Sequence, residues 1–266
     1  MRVPLAEVGR RGRMDLTFVL QNGQTVLRHA YCEIPFKVTR VLNSRQPPAH
    51  LILMQCTAGL FGGDELECSI RVERGARVVV TQQSATKIHP SEDRPAKQNN
   101  HVFVETGAEL QLYLEPVIPF AHSSLRQTTR IDVQPGGRLM FWEGFMAGRV
   151  GRGERWRFRE LSSESQLRSN NRLVHLDRFV LLPSGFERWA CAIGDCSYVG
   201  TGLYVGEQAL TFATMLHQAL PEAGIDTPDA DLAVARVVSM TGPDFHRCRE
   251  VFCLHADRAS SGGREL

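Results

Sequence analysis

The chain has 266 residues, 42% of them hydrophobic and 23% charged, with a formal net charge of +2. That length allows a core in which ~70–75% of the extended-chain surface is buried, and the ordinary composition excludes a disordered chain. So small a net charge excludes the broad basic footprint of a nucleic-acid binder.

In chain order, a basic start (Arg2, Arg10, Arg11, Arg13) leads into the apolar run Leu16 to Leu20, which follows Asp15 and is too short for a signal-peptide core. Nothing approaches the ~18 consecutive apolar residues of a membrane span. Seven cysteines, an odd number at irregular spacing, suit reduced thiols rather than a secreted disulfide framework. These features predict a soluble cytoplasmic protein.

A phrase then repeats. Val72-Glu-Arg-Gly75-Ala-Arg-Val78, Val104-Glu-Thr-Gly107-Ala-Glu-Leu110 and Val133-Gln-Pro-Gly136-Gly-Arg-Leu139 share an apolar residue, two turn-type residues, a glycine and a second apolar residue. A fourth copy, Leu167-Arg-Ser-Asn170-Asn-Arg-Leu173, puts asparagine at the glycine position, and Leu20-Gln-Asn-Gly23-Gln-Thr-Val26 is a weaker fifth. Both residue types tolerate positive φ. The flanks alternate with period two, as in Ile70, Val72, Val78 and Val80, so each copy reads as strand, tight turn, strand. One hairpin cannot bury its apolar face alone, and copies spaced by roughly 30 residues predict stacking into a β-helix-like scaffold. A phosphate loop would need a helix after the turn, and a strand follows instead.

The last third changes period. Glu207 to Leu220 places Ala209, Phe212, Ala213, Leu216 and Leu220 on one helical face before Pro221, Asp231 to Met240 reads as a strand, and Thr241 caps a second helix carrying Phe245, Cys248 and Phe252. The expected fold is mainly β: a repeat scaffold over 1–200, a small α/β portion over 201–258 packed on it, and a loose tail over 259–266.

The chemical motifs are thin. Ser84-Ala-Thr-Lys87 matches the S-x-x-K spelling of serine acyl enzymes, without the companion elements or a helix start. Gly59-Leu-Phe-Gly-Gly-Asp64 lacks the Lys and Ser/Thr of a phosphate loop and instead brings Asp64 against another part of the chain. Cys248 and Cys253, five apart on a helix, do not share a ligand face, whereas Cys191 and Cys196 could converge across a turn. His89, next to Pro90, reads as a loop residue, with a ligand role as the alternative.

If the alternation persists past each turn, one inward row reads Val80, Leu112, Phe141, His175 and the next reads Gln82, Leu114, Glu143, Asp177. Glu143, His175 and Asp177 would then share a face with core residues, where a carboxylate must be paired, hydrated or holding a cation. Met140, Trp142, Val174 and Leu176 make the opposite face apolar too, so the parity stays open.

Several phrases together resemble the family of the urease accessory protein UreD, called UreH in some organisms: Gly59-Leu-Phe-Gly-Gly-Asp64, Thr81-Gln-Gln-Ser-Ala-Thr-Lys87, Glu115-Pro-Val-Ile-Pro-Phe120, and Gly148-Arg149 with Gly153-Glu154, in order across roughly residues 15 to 185. A tyrosine is common in that family where His89 stands. The resemblance implies a non-enzymatic, helix-poor scaffold that binds urease apoprotein and UreF, which recruits the GTPase UreG, for nickel insertion into urease. It implies an internal passage for Ni2+ in transit, with Asp64 and Glu143 at acidic positions of the family. His175 and Asp177 would extend such a path, and Lys87, Arg149 and Glu154 would be partner contacts. A competing expectation is a β-solenoid hydrolase using carboxylates such as Asp64 and Glu143 in one groove.

Overall fold

The computed structural model describes residues 9–42, 48–182 and 194–260. Among them seventeen strands form two facing sheets. Sheet A has the order β14 (Arg172–Leu181), β13 (Glu160–Ser169), β11 (Ser124–Val133), β8 (Ala96–Val104), β5 (Glu65–Val72), β1 (Arg11–Gln21), β2 (Gln24–Cys32). Sheet B runs β16 (Gly224–Asp229), β17 (Leu232–Ser239), β15 (Tyr198–Val205), β12 (Arg138–Met146), β9 (Glu109–Tyr113), β6 (Arg77–Gln82), β4 (Ala49–Gln55), β3 (Phe36–Val38).

The repeat is real and its copies lie on one another. Val72 pairs with Val104 and Val104 with Val133 in sheet A; Val78 pairs with Leu110 and Leu110 with Leu139 in sheet B. The phrase aligned in sequence is thus a parallel, in-register stack, and its apolar positions form the main core. The mainly β, β-helix-like fold with two C-terminal helices follows from that stacking.

The expected hairpins need correction at three copies. At Gly75, Gly107 and Gly136 the strand before the turn lies in sheet A and the strand after it in sheet B, so each turn is an arch between sheets. The Asn170 and Gly23 copies are true antiparallel hairpins, β13–β14 and β1–β2. Backbone sign separates the two cases. Asn22 and Gly23 have φ of 51° and 75°, and Asn170 and Asn171 have 53° and 60°, the double positive φ of a type I′ hairpin turn. In the arches the glycine is the turn residue with positive φ (75°, 69° and 71°). The hairpin at Asn170 also runs two residues longer: Val133 pairs with Ser169, and Leu167 with Ile131.

A short third side closes each coil. Here β7 (Thr86–Ile88) pairs in parallel with β10 (Val117–Pro119), and Leu60 bridges Ile88. Gly59 lies against this side, where a Cβ would come 2.2 Å from the Lys87 carbonyl oxygen.

The two helices, α1 (Ala209–Ala219) and α2 (Gly242–Ser260), cover the outer face of sheet B. Thr241 caps α2 as expected: its hydroxyl accepts the Asp244 amide at 3.2 Å and donates to the Asp244 carboxylate at 2.6 Å. Phe212, Phe245 and Phe252 are buried with Met140 and Trp142 in a second core, each burial contributing about 1.5–3 kcal/mol. This cover resolves the parity question. The apolar even face of β12 is spent under the helices, leaving Leu139, Phe141 and Glu143 facing inward. Sheet B continues through β15 and β17, so the division placed at 200/201 falls within β15.

Candidate functional site

One polar rung crosses the otherwise apolar interior. In sheet A the register carries Asn100 to Thr129, Thr129 to Ser165 and Ser165 to Asp177; in sheet B it carries Glu143 to Thr201 and Thr201 to Arg236. Because neighbouring strands are in register, each inward polar residue stands beside another. Glu143 is half-buried at the centre. Its Oε1 accepts the Ser165 hydroxyl at 2.8 Å and its Oε2 accepts Gln127 Nε2 at 3.1 Å, both donors coming from the opposite sheet. Asp177 is held by Arg236, whose Nη1 donates to Asp177 Oδ2 at 2.8 Å and to the Thr201 hydroxyl at 3.2 Å.

These side chains line a small cavity. Gln127, Glu143, Ser163, Asp177 and Thr201 bound a space of about 30 Å³, room enough for water. Farther along the layer, Gln82, Gln98, Asn100 and Thr129 line another of about 50 Å³. Burial pushes the Glu143 carboxyl up to about 7, and the Asp177 charge adds to the rise, while Ser165, Arg236 and Gln127 oppose it. His175 stands one step along β14, opposite Leu167, with Nε2 buried and without a hydrogen-bond partner. Burial and the Arg236 charge hold its imidazole below the usual histidine range, against the pull of Asp177.

The structure therefore brings Glu143 and Asp177 to one cavity, with His175 beside them on the inward row of β14. It places Asp64 elsewhere. The Asp64 carboxylate accepts the backbone amides of Arg10 at 2.8 Å and Phe61 at 2.9 Å, fastening the glycine-rich turn to the N-terminal segment. Among the described residues Asp64 and Glu143 share no hydrogen-bond partner and no cavity lining, so that pair does not form a paired-carboxylate groove. Among the described residues no three His, Cys, Asp or Glu side chains group as a metal cage requires. Cys191, proposed to face Cys196, lies outside the described residues. Ser84 is exposed on a bend between β6 and β7, away from any helix start.

Lys87, Arg149 and Glu154 lie on the third side. Arg149 pairs with Glu154, its Nε donating at 2.7 Å, and its guanidinium sits 4.0 Å from the Phe120 ring centre. Phe120 meets His89 edge-on at 5.0 Å, and His89 stacks on Phe61 at 4.2 Å, so His89 is the centre of an aromatic ladder rather than a plain loop residue. Phe61 is 42% exposed at the end of that ladder. Lys87 is exposed on the same side, on β7.

Sequence reasoning missed Gln127, Ser165, Thr201 and Arg236. The first two had a legible signal, since Gln127 with Thr129 and Ser163 with Ser165 are polar at inward period-two positions. Arg236 had a weaker one, as the single charge within Leu232 to Val238. A larger cavity of about 430 Å³ opens at the turn end beside Gly107, Gly136 and Asn170, where Arg138 is already committed to Glu109.

Fold and site together define a β-helical scaffold with a polar seam through its core. A family model described as "UreD urease accessory protein" matches residues 10–261. The chain belongs to the UreD urease accessory protein family. It is 32% identical over 253 residues to the urease accessory protein UreD of Deinococcus radiodurans, covering 94% of this chain and 91% of that protein. It is 30% identical to the urease accessory protein UreD 2 of Streptomyces griseus, over 80% and 76% of the two chains, and 29% identical to the UreD of Mycolicibacterium gilvum, over 90% and 89%.

Proposed function

We propose that this protein is a non-catalytic maturation factor that joins urease apoprotein to UreF and, through UreF, to the GTPase UreG in the cytoplasm, and that Ni2+ crosses its interior on the way to urease. The observation that carries the reading is the Glu143 rung. A β-helix core built for stability alone is served by apolar side chains at every inward position, whereas here Glu143, Gln127, Ser163, Asp177 and Thr201 line a shared cavity, with Ser165 and Gln127 bonded to Glu143. Two carboxylates with neutral oxygens suit a divalent cation in passage: the charge attracts it, and too few ligands gather to retain it. No step of bond making is assigned to the protein. Lys87 and the Arg149–Glu154 pair, on the third side, are the proposed partner contacts.

The test is deletion of the gene in a urease-producing strain. Urease polypeptides should accumulate at normal levels with little bound nickel and low activity. Urease of normal nickel content in that strain sinks the reading.

A further inference from the structure

Arg236 occupies a special position in the polar rung. It belongs to sheet B, yet its partner Asp177 belongs to sheet A, at the edge where β14 and β17 approach. A second pair, Arg172 with Asp229, joins β14 to β16 farther along the same edge. The two arginines differ in what stands behind them. Arg236 bonds Asp177 and Thr201, both of which line the Glu143 cavity, and its charge acts on Glu143. Its side chain is 42% exposed, so the guanidinium stands between cavity and solvent.

We propose that Arg236 is a built-in counter-ion that gates this cavity: the guanidinium holds the place of a cation on Asp177, and a divalent cation enters from this end by displacing it. The inference rests on the cation-passage reading above and adds its regulation. The Arg236 Nη1 hydrogen bond occupies Asp177 Oδ2, and a guanidinium charge at that oxygen repels a metal cation approaching it, so the two occupants compete. The pair is exposed enough that opening it is cheap, as exposed ion pairs generally are. Once free, the arginine has a long, flexible stem with which to reach solvent. Whatever draws Arg236 away, such as a carboxylate on a docked protein, would open the cavity at the moment of assembly.

The experiment measures Ni2+ binding to the full chain by titration calorimetry at neutral pH. Arg236→Met keeps the length and apolar stem while removing the charge, and it should bind Ni2+ about tenfold more tightly than the wild type. Arg172→Met, which breaks the neighbouring pair without touching the cavity, should bind as the wild type does. The gain should disappear in Arg236→Met combined with Glu143→Gln. Because the pair is partly exposed, Arg236→Met should melt close to the wild type, and Arg236→Gln serves as a second version of the same change. Equal or weaker binding by the charge-removed variants, a gain that survives Glu143→Gln, or no uptake by any of them at millimolar Ni2+ overturns the gate. Failure of the maturation role itself would show separately, in the nickel content of urease from the deletion strain.

Discussion

The Ser165 hydroxyl donates to Glu143 Oε1 at 2.8 Å, tying β13 of one sheet to β12 of the other through the middle of the core. With Gln127 on the second oxygen, both bonds to Glu143 cross between sheets. The arrangement gives both carboxylate oxygens a hydrogen bond without a cation in contact, which leaves a buried charge only partly compensated.

That incomplete pairing predicts a pH dependence. Burial chiefly raises the folded Glu143 carboxyl to about 7 from its ordinary 4.5, so between those limits the folded protein holds a proton that the unfolded chain releases. Stability should therefore fall as pH rises from 4.5 to 7 and then level off, by at most about 3 kcal/mol. Glu143→Gln should abolish the fall and melt above the wild type at pH 8, with the two nearly equal at pH 4.5. Parallel melting curves across that range would remove Glu143 as the cause.

A second buried carboxylate, unlike Glu143, is in direct contact with cations. Glu109 is 1% exposed beneath α2, and its register neighbours Arg77 and Arg138 both reach it, Arg138 at 2.6 Å and Arg77 at 3.1 Å. Gln111 Nε2 donates to its other oxygen at 3.1 Å, and the Tyr113 hydroxyl continues the ladder to Gln111. Glu109→Ala should cost about 2–4 kcal/mol, because two arginines and an amide lose their acceptor under the helix. Urea unfolding midpoints measure it; a loss under about 0.5 kcal/mol, the scale of a surface substitution, would refute the role.

How far these features were readable depended on the kind of physics behind each. The stacked copies were legible because Val72, Val104 and Val133 obey a local period and meet in register. Whether a turn folds its strand back or sends it to the facing sheet was missed, although the second turn residue carried the clue: Asn171 follows Asn170 in a hairpin, and Ala108 follows Gly107 in an arch. The inward placement of Glu143 was undecidable from β12 alone, since it depends on helices more than 60 residues later that claim Met140 and Trp142. Arg236 and His89 owe their roles to partners distant in sequence, Asp177 and Phe61, which no local pattern announces.

The glycines give a graded test of the coil geometry. Gly59→Ala should cost about 3 kcal/mol or more, since its φ is +138° and a Cβ would lie 2.2 Å from the Lys87 carbonyl oxygen. Gly107→Ala should cost about 1 kcal/mol, for a φ of +69° with nothing in the way. Gly151→Ala, with neither problem, should stay within about 0.5 kcal/mol of the wild type. The order of unfolding midpoints is the readout, and Gly59→Ala ranking with Gly151→Ala would contradict the packing of the third side.

The aromatic ladder links surface to interior and supplies the last prediction. Phe61, His89 and Phe120 come from three successive coils, and Arg149 with Glu154 from the fourth, so one row of side chains runs through three of the segments that carry the family resemblance, with His89 two residues past the remaining one. Inside the row the contacts are internal: His89 Nε2 donates to the Ala58 carbonyl at 3.0 Å, and the Ala121 amide donates to Glu154 at 3.1 Å. Phe61 and Lys87 instead offer exposed surface. If this side meets a partner, the two classes of residue must separate on mutation. Phe61→Ala combined with Lys87→Ala should leave the melting temperature nearly unchanged while urease apoprotein or UreF recovered with the tagged protein falls about tenfold, as truncation of an exposed aromatic anchor does at an interface centre. Glu154→Ala should lower stability by about 1–2 kcal/mol, because it strips a partner from Arg149 and an acceptor from the Ala121 amide. Undiminished co-purification by the double variant would move the partner surface away from this side, and the exposed Leu176, Val180 and Leu182 of the β14 edge would be the next surface to mutate.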